Sequence, residues 1–230
     1  QYMAFYPHAT VNGTKASIPF GNLRTQIGNA FNCASDALAA PILSFANAEP
    51  GKTDEGDPIR FTLSRLTSIL NLEVKGGANA DKVRYLLLTS ENEAQTLSAE
   101  SIDFDISDTG SGLAFSQTAP SNVIALGFEQ GTAPDANDIN AFFNIMPGSY
   151  DKLTVDVITA TRIGTVAIER GADKPFAAGK LYKRAETPVF APLEAPSFDW
   201  PGQDIDQAHE ITVDDNNQLT YSAAINIHVP

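Results

Sequence analysis

The order of apolar and polar positions along this chain predicts many short β-strands. Val83–Leu88 is an almost unbroken apolar run, which is typical of a strand buried on both faces. In Leu153–Ile158 apolar residues alternate with Thr154 and Asp156, as in a strand with one buried face. Further strands are predicted at Gln1–Tyr6, Ser17–Phe20, both ends of Arg60–Val74, Ile102–Ile106, Leu113–Phe115, Val123–Phe128, Phe142–Met146, Thr165–Ile168 and Leu181–Lys183. Short strands at this spacing predict an all-β fold, an antiparallel β-sandwich.

Two segments break the strand pattern. The Pro147-Gly148 step follows a buried apolar run and precedes an alternating one, which predicts a corner of the sandwich. From Asn22 to Ala40, apolar residues recur at helical spacing, with Ser35 and Asp36 as possible caps of a short helix. We therefore expect short helical insertions in the all-β fold.

Composition shifts predict three parts of the chain. Ala46–Pro58 is rich in Gly, Pro and acidic residues, and it is the best candidate for a domain boundary. From Glu186 onwards prolines and aromatic residues alternate, which is typical of a stiff extended connector. The predicted parts are residues 1–55, residues 56–187 as a β-sandwich domain, and residues 188–230 as a connector with C-terminal strands.

The C-terminal segment has the longest strict alternation in the chain. It follows a predicted turn at Asp214–Asn217, and its apolar positions are Leu219, Tyr221, Ala223, Ile225, Ile227 and Val229. The pattern predicts a strand with one apolar face. Such a strand completes a sheet in its own chain or pairs with a neighbouring molecule, and the sequence leaves both open.

Charge and cysteine content exclude several classes of function. The chain has 15 basic and 28 acidic residues, a formal charge of -13, which disfavours nucleic acid and anionic membranes as partners. The single cysteine, Cys33, allows no disulfide within the chain and no cysteine zinc cage.

No apolar run approaches the about 20 residues of a membrane-spanning helix. No signal peptide precedes the first strand, so we expect a mature or truncated form.

The best enzyme-like motif is Asp108-Thr109-Gly110-Ser111, which is similar to the active-site loop of aspartic proteases. That chemistry needs two carboxylates that share a proton, and the chain has no second copy of the motif. The position three residues earlier is Asp105, where those enzymes have an apolar residue. A Gly-rich hairpin turn explains the motif better, so we expect no catalytic residues.

No group of residues has the spacing of a metal or cofactor site. The acidic candidates are Asp103, Asp105, Asp108, Asp135, Asp138 and Asp151, and their spacing does not fit a calcium loop. The histidines, His8, His209 and His228, lie in separate segments, and Gly76-Gly77 is not part of a phosphate loop. Cys33 has no basic neighbour to activate it. We expect neither a metal nor a cofactor.

One aromatic residue is a candidate ligand contact. Trp200 lies among prolines with Phe190 and Phe198, and its ring could stack on a sugar. Aromatic residues between prolines more often anchor a connector to a domain.

As a whole, the sequence resembles the fimbrillin-like family of Bacteroidales surface proteins, which includes pilus subunits. The resemblance covers roughly residues 1 to 185 and rests on the aromatic strand Tyr2–Pro7, on Gln26 with Asp36–Ala40, on Ile59–Val74, on Phe143–Val155 and on Ala178–Tyr182.

This resemblance implies transthyretin-like β-sandwich domains, export to the cell surface, and assembly into fimbriae by strand exchange. It also implies that residues 1–55 are the C-terminal part of an N-terminal β domain. The expected partners are other fimbrial subunits or further copies of this chain, with surface glycans or proteins as adhesion targets. The strand that is exchanged is expected at Leu219–Val229. The alternatives are a monomeric carbohydrate-binding adhesin that uses Trp200 and, third, an aspartic hydrolase.

Overall fold

The computed structural model describes residues 2–6, 8–29, 42–46, 64–76, 81–107, 115–171, 173–193, 210–213 and 219–222. These residues form strands and connecting segments, and no part of them is helical, so the predicted all-β fold is confirmed. The strands are β1 (Tyr2–Tyr6), β2 (Thr10–Asn12), β3 (Lys15–Pro19), β4 (Leu23–Gln26), β5 (Ile42–Ala46), β6 (Ser64–Arg65), β7 (Ser68–Lys75), β8 (Val83–Ser90), β9 (Ser98–Asp105), β10 (Phe115–Ser121), β11 (Val123–Phe128), β12 (Asp138–Ile145), β13 (Leu153–Thr159), β14 (Arg162–Ile168), β15 (Leu181–Glu186), β16 (Phe190–Pro192), β17 (Glu210–Val213) and β18 (Leu219–Ser222). A helix capable of spanning a membrane is not found among the described residues.

The contacts between residues divide the chain into two units, Gln1–Leu193 and Glu194–Pro230. In the first unit, a six-stranded sheet has the order β16-β14-β13-β8-β11-β4, and a three-stranded sheet has the order β12-β7-β15. Most neighbouring strands are antiparallel, but β11 and β4 are parallel, and so are β15 and β7. The second unit contains the hairpin β17–β18.

The main hydrophobic core is formed by side chains from both of these sheets. Leu86 and Val155 come from the six-stranded sheet, Leu72 and Phe143 come from the three-stranded sheet, and all four are almost completely buried. Two sheets that share one core make a β-sandwich. The transthyretin-like topology stays a prediction.

Two further sheets have the orders β10-β9-β3-β2 and β1-β5-β6. A smaller core is formed mainly by residues of β3 and β9, and Phe5 of β1 packs against it. The buried residues of this core are Ile18, Phe20, Ile102, Phe104 and Met146. β3 pairs with β9 and β4 pairs with β11, so strands from both sides of the predicted boundary at Ala46–Pro58 share sheets. The division into the domains 1–55, 56–187 and 188–230 stays a prediction.

The Pro147-Gly148 step forms the predicted corner. β12, which precedes it, belongs to the three-stranded sheet, whereas β13, which follows it, belongs to the six-stranded sheet. The N–H of Gly148 donates to the carbonyl of Phe176 at 3.0 Å, and the N–H of Phe176 donates to the carbonyl of Gly148 at 2.8 Å. This pair of hydrogen bonds fixes the position of the corner.

Two predictions from periodicity are wrong. Leu23–Gln26, the start of the predicted helical segment, is the strand β4, because it pairs with β11 and is followed by a turn in which Gly28 has φ of 56°. The rest of that segment, including Cys33, lies outside the described residues. The strand at Val83–Leu88 is not buried on both faces: Tyr85 is 56% exposed, since this face of β8 is on the outside of the sandwich.

Candidate functional site

The predicted assembly strand is only partly within the described residues. Leu219 and Tyr221 lie in β18, where Leu219 pairs with Val213 and Tyr221 pairs with Ile211 of β17. This part of the segment therefore pairs within its own chain. Ala223, Ile225, Ile227 and Val229 lie outside the described residues, as do Trp200, Asp108, His209 and His228.

The carboxylate of Asp103 lies in a network of hydroxyl groups rather than in a metal site. Ser17 and Ser101 donate to its Oδ1 at 2.5 and 2.9 Å, and Thr118 donates to its Oδ2 at 2.6 Å. Burial raises the pKa of Asp103, but these three hydrogen bonds and the charge of Lys15 outweigh that effect and hold the pKa below its usual value. The network ties β9 to its neighbours β3 and β10.

The other acidic candidates also have structural contacts. Asp105 accepts hydrogen bonds from the backbone and hydroxyl of Ser107, which lower its pKa. Asp135 pairs with Lys82 at 2.8 Å, Asp138 pairs with Lys75, and Asp151 accepts a hydrogen bond from Asn92 at 3.1 Å. Among the described residues, acidic, histidine and cysteine side chains form no cluster that could hold a metal ion. His8 is exposed.

The edges of the sheets are the remaining candidates, because an unpaired strand edge offers N–H and C=O groups to another strand. The outer edge of β12 is covered by side chains. The fully buried Gln26 accepts from the N–H of Phe142 at 2.9 Å and donates to the carbonyl of Asn140 at 2.7 Å. Asn29 accepts from the N–H of Asn140 at 3.0 Å. These amides take the place of a neighbouring strand, so this edge is closed.

Other edges contain features that oppose pairing. In β10, Ala119 has φ of 47°, and the next residue, Pro120, has no N–H to donate. β15 presents the charged side chains of Lys183, Arg184 and Glu186. β2 and β6 have only three and two residues. Each of these devices is known to protect sheet edges.

The edge of β14 is different. β16 covers only its first half, through the pairs Arg162 with Pro192, Ile163 with Ala191, and Gly164 with Phe190. Beyond Gly164 the remaining residues of β14 are Thr165, Val166, Ala167 and Ile168, none of which is charged. No described residue is paired with this edge beyond Gly164. The second half of β14 is therefore an open edge, which we call the β14 edge.

A cleft of about 420 Å³ lies along the β14 edge. One wall is formed by Ile163 and Thr165–Ala167, and the other by the segment from Glu186 to Val189 with Ala191. Val189 is 89% exposed at its rim. Polar and apolar atoms contribute similar areas to its lining, and Glu186 is its single charged residue. Such a cleft suits an uncharged extended chain.

The far wall of the cleft is anchored to the sandwich. Arg184 donates to the carbonyl of Glu169 at 3.0 Å, and Thr187 donates to the carbonyl of Lys75 at 3.3 Å. The Arg170 guanidinium lies over the rings of Phe176 and Tyr182, at 4.7 and 4.3 Å. The Thr187 bond attaches the segment after β15 to the end of β7, and the other contacts hold β15 itself in place.

Sequence reasoning predicted the strand at Thr165–Ile168 but not its role. The edge position depends on which strands are neighbours, and local periodicity does not contain that information. Two features of the sequence could have indicated this edge. Thr165–Ile168 contains no charged residue and no proline, and the later segment that partly covers it contains Pro188 and Pro192.

Comparisons with known proteins give likenesses to solved structures only. No protein-family model and no curated protein matches the chain. Two solved chains match. One is from Bacteroides ovatus ATCC 8483 and is provisionally described as a cell adhesion protein, with 16% identity and a TM-score of 0.47. The match covers 84% of this chain and 65% of that chain, so this chain spans less than two thirds of its neighbour's length. A likeness at this level establishes neither family nor function.

Proposed function

We propose that this chain is a fimbrillin-like structural or adhesive subunit of the cell surface, and that it assembles by β-strand complementation. In this proposal it is not an enzyme, it uses no cofactor, and its partners are further subunits or copies of itself. The sequence resemblance to fimbrillin-like proteins supports this proposal, as does the all-β fold.

The observation that carries the proposal is the hairpin β17–β18. A two-stranded hairpin is only marginally stable by itself in water, so its apolar positions need cover from another sheet. The alternation of apolar residues also continues beyond Ser222, at Ala223, Ile225, Ile227 and Val229. We propose that this continuation pairs with a neighbouring subunit.

The test is a measurement of molar mass by size-exclusion chromatography with light scattering, over a range of protein concentrations. The variants are Ile225→Lys with Ile227→Lys in the full chain, and a chain truncated after Gln203. Lysine on the apolar face of the strand prevents its burial, so both changes are expected to abolish concentration-dependent oligomers. The matched control is Asn226→Lys, on the opposite face of the predicted strand, which leaves the oligomers in place.

Equal oligomerisation in the full chain and both variants would show that residues 203–230 have no part in assembly. A wild-type chain that is monomeric at all concentrations would also contradict the proposal.

A further inference from the structure

We propose that the β14 edge is the acceptor for assembly, and that residues 223–229 of a second copy add to it as an antiparallel strand in line with β16. This inference rests on the proposed function and names the surface that receives the strand.

The backbone of β14 directs two N–H and two C=O groups to the open edge. The N–H of Leu193 donates to the carbonyl of Thr161 at 2.7 Å, on the side of β16. In an antiparallel ladder, successive residues direct their backbone groups to opposite neighbours. Ile163, Thr165 and Ala167 therefore point to the same side as Thr161. Ile163 lies opposite Ala191, but the pairing with β16 stops at Gly164, so Thr165 and Ala167 have no strand beside them.

Four other strand edges are less suitable. Side-chain amides cover β12, a proline lies within β10, and charged side chains line β15. β16 itself has three residues and ends in Pro192, so it cannot extend the sheet far. β14 combines an open edge, uncharged side chains beyond Gly164 and an adjoining cleft.

The chemistry of the cleft favours the segment 223–229 as its occupant. The chain has a charge of -13 and the cleft contains Glu186, so an acidic strand would be repelled. Residues 218–230 contain no Asp, Glu, Lys or Arg. Their small and β-branched residues, Ala223, Ile225, Ile227 and Val229, alternate as an added strand requires, with one face toward the cleft.

The lengths are also compatible. Seven residues of β-strand extend about 24 Å, and the four residues of the open edge extend about 14 Å. The segment is therefore long enough to pair with Thr165–Ile168 and to continue beyond it.

The decisive experiment is amide hydrogen exchange of the full chain, compared at concentrations at which it is monomeric and assembled. The amides of Thr165 and Ala167 exchange quickly in the monomer and become protected by about tenfold or more on assembly, since each then donates a hydrogen bond. The amides of Val166 and Ile168 point to β13 and serve as internal controls, protected in both states. Protection at 165 and 167 is lost in the variant with Ile225→Lys and Ile227→Lys.

A matched pair of substitutions supplies a second measurement. Ala167→Pro removes the outward N–H and weakens self-association by about tenfold, the effect of one lost hydrogen bond. Ala167→Val keeps the N–H, and its dissociation constant stays within about twofold of the wild type. Thermal unfolding of both variants verifies that the sandwich is intact.

The outcomes separate this inference from the proposed function. Assembly that depends on residues 225 and 227, with no change in exchange at 165 and 167, refutes the β14 edge as acceptor and leaves the proposed function in place. Assembly that is independent of residues 225 and 227 refutes both.

Discussion

At the scale of single residues, Gln26 is a buried amide that uses both its nitrogen and its oxygen in hydrogen bonds to the backbone. Its side chain is fully buried, and its Nε2 lies 2.6 Å from the carbonyl of Gly28 and 2.7 Å from that of Asn140. Its Oε1 accepts from the N–H of Phe142. An amide is suited to this place because it has both donors and an acceptor, and a carboxylate has no donor.

We predict that Gln26→Ala destabilises the fold by about 2–4 kcal/mol, because it leaves buried backbone groups of β12 unpaired and creates a cavity. Urea denaturation at pH 7 measures the change in the free energy of unfolding. Asn22→Ala is the control, since the Asn22 side chain is exposed and makes one long hydrogen bond of 3.5 Å to Ser121. A loss below 1 kcal/mol for Gln26→Ala would mean that water replaces the amide.

Local sequence cannot reveal this residue. Gln26 belongs to a segment with helical spacing, and its hydrogen-bond partners Asn140 and Phe142 are more than a hundred positions away. The predicted strands at Leu153–Ile158 and Phe142–Met146 were found because their alternation or apolar run reflects burial directly. A polar side chain that replaces a strand has no comparable periodic signal.

At the scale of elements, β16 packs closely on β14 where the ring of Phe190 lies over Gly164. A Cβ atom at Gly164 would lie 3.0 Å from two carbon atoms of the Phe190 ring. Any larger side chain therefore displaces Phe190, which packs against the main core. Gly164 and Phe190 are also the last pair between β14 and β16, next to the β14 edge.

We predict that Gly164→Val destabilises the protein by about 1–3 kcal/mol, because it overpacks this contact. It is also expected to release β16, which hydrogen exchange would detect as a loss of protection at Ala191 and Leu193. The double variant Gly164→Val with Phe190→Ala recovers part of the stability if the ring is the obstacle. Additive losses in the double variant would show that the clash is elsewhere. Gly21→Ala, where no atom lies within 4 Å of an added Cβ, is the matched control.

The elements were more predictable than their arrangement. The all-β class and the corner at Pro147-Gly148 follow from local patterns, since proline and glycine restrict the backbone wherever they occur. The parallel pairing of β4 with β11 and the partial cover of β14 by β16 depend on long-range packing. The candidate site consists of these long-range features, so the sequence predicted its strand and not its edge.

At the scale of the whole molecule, the charge of -13 opposes the association of two copies. The proposed contact, by contrast, joins an uncharged strand segment to the uncharged residues of the β14 edge. Repulsion between the two copies is therefore long-ranged, whereas the attraction is local and comes from backbone hydrogen bonds and apolar burial. Salt screens the repulsion between the copies, because the screening length falls from about 30 Å at 0.01 M to about 8 Å at 0.15 M. The attraction from backbone hydrogen bonds and apolar burial stays almost unchanged.

We predict that self-association of the full chain becomes at least several-fold tighter when NaCl is raised from about 10 to 150 mM, the range over which most of the screening develops. Sedimentation velocity at a series of protein concentrations measures the dissociation constant at each salt concentration. The variant with Ile225→Lys and Ile227→Lys is the control for nonspecific salting-out, and it stays monomeric throughout. Association that weakens as salt is added would mean that opposite charges form the contact, which neither the segment 223–229 nor Thr165–Ile168 can provide. The salt response therefore tests whether assembly works through an uncharged strand edge or through charged surfaces of this acidic protein.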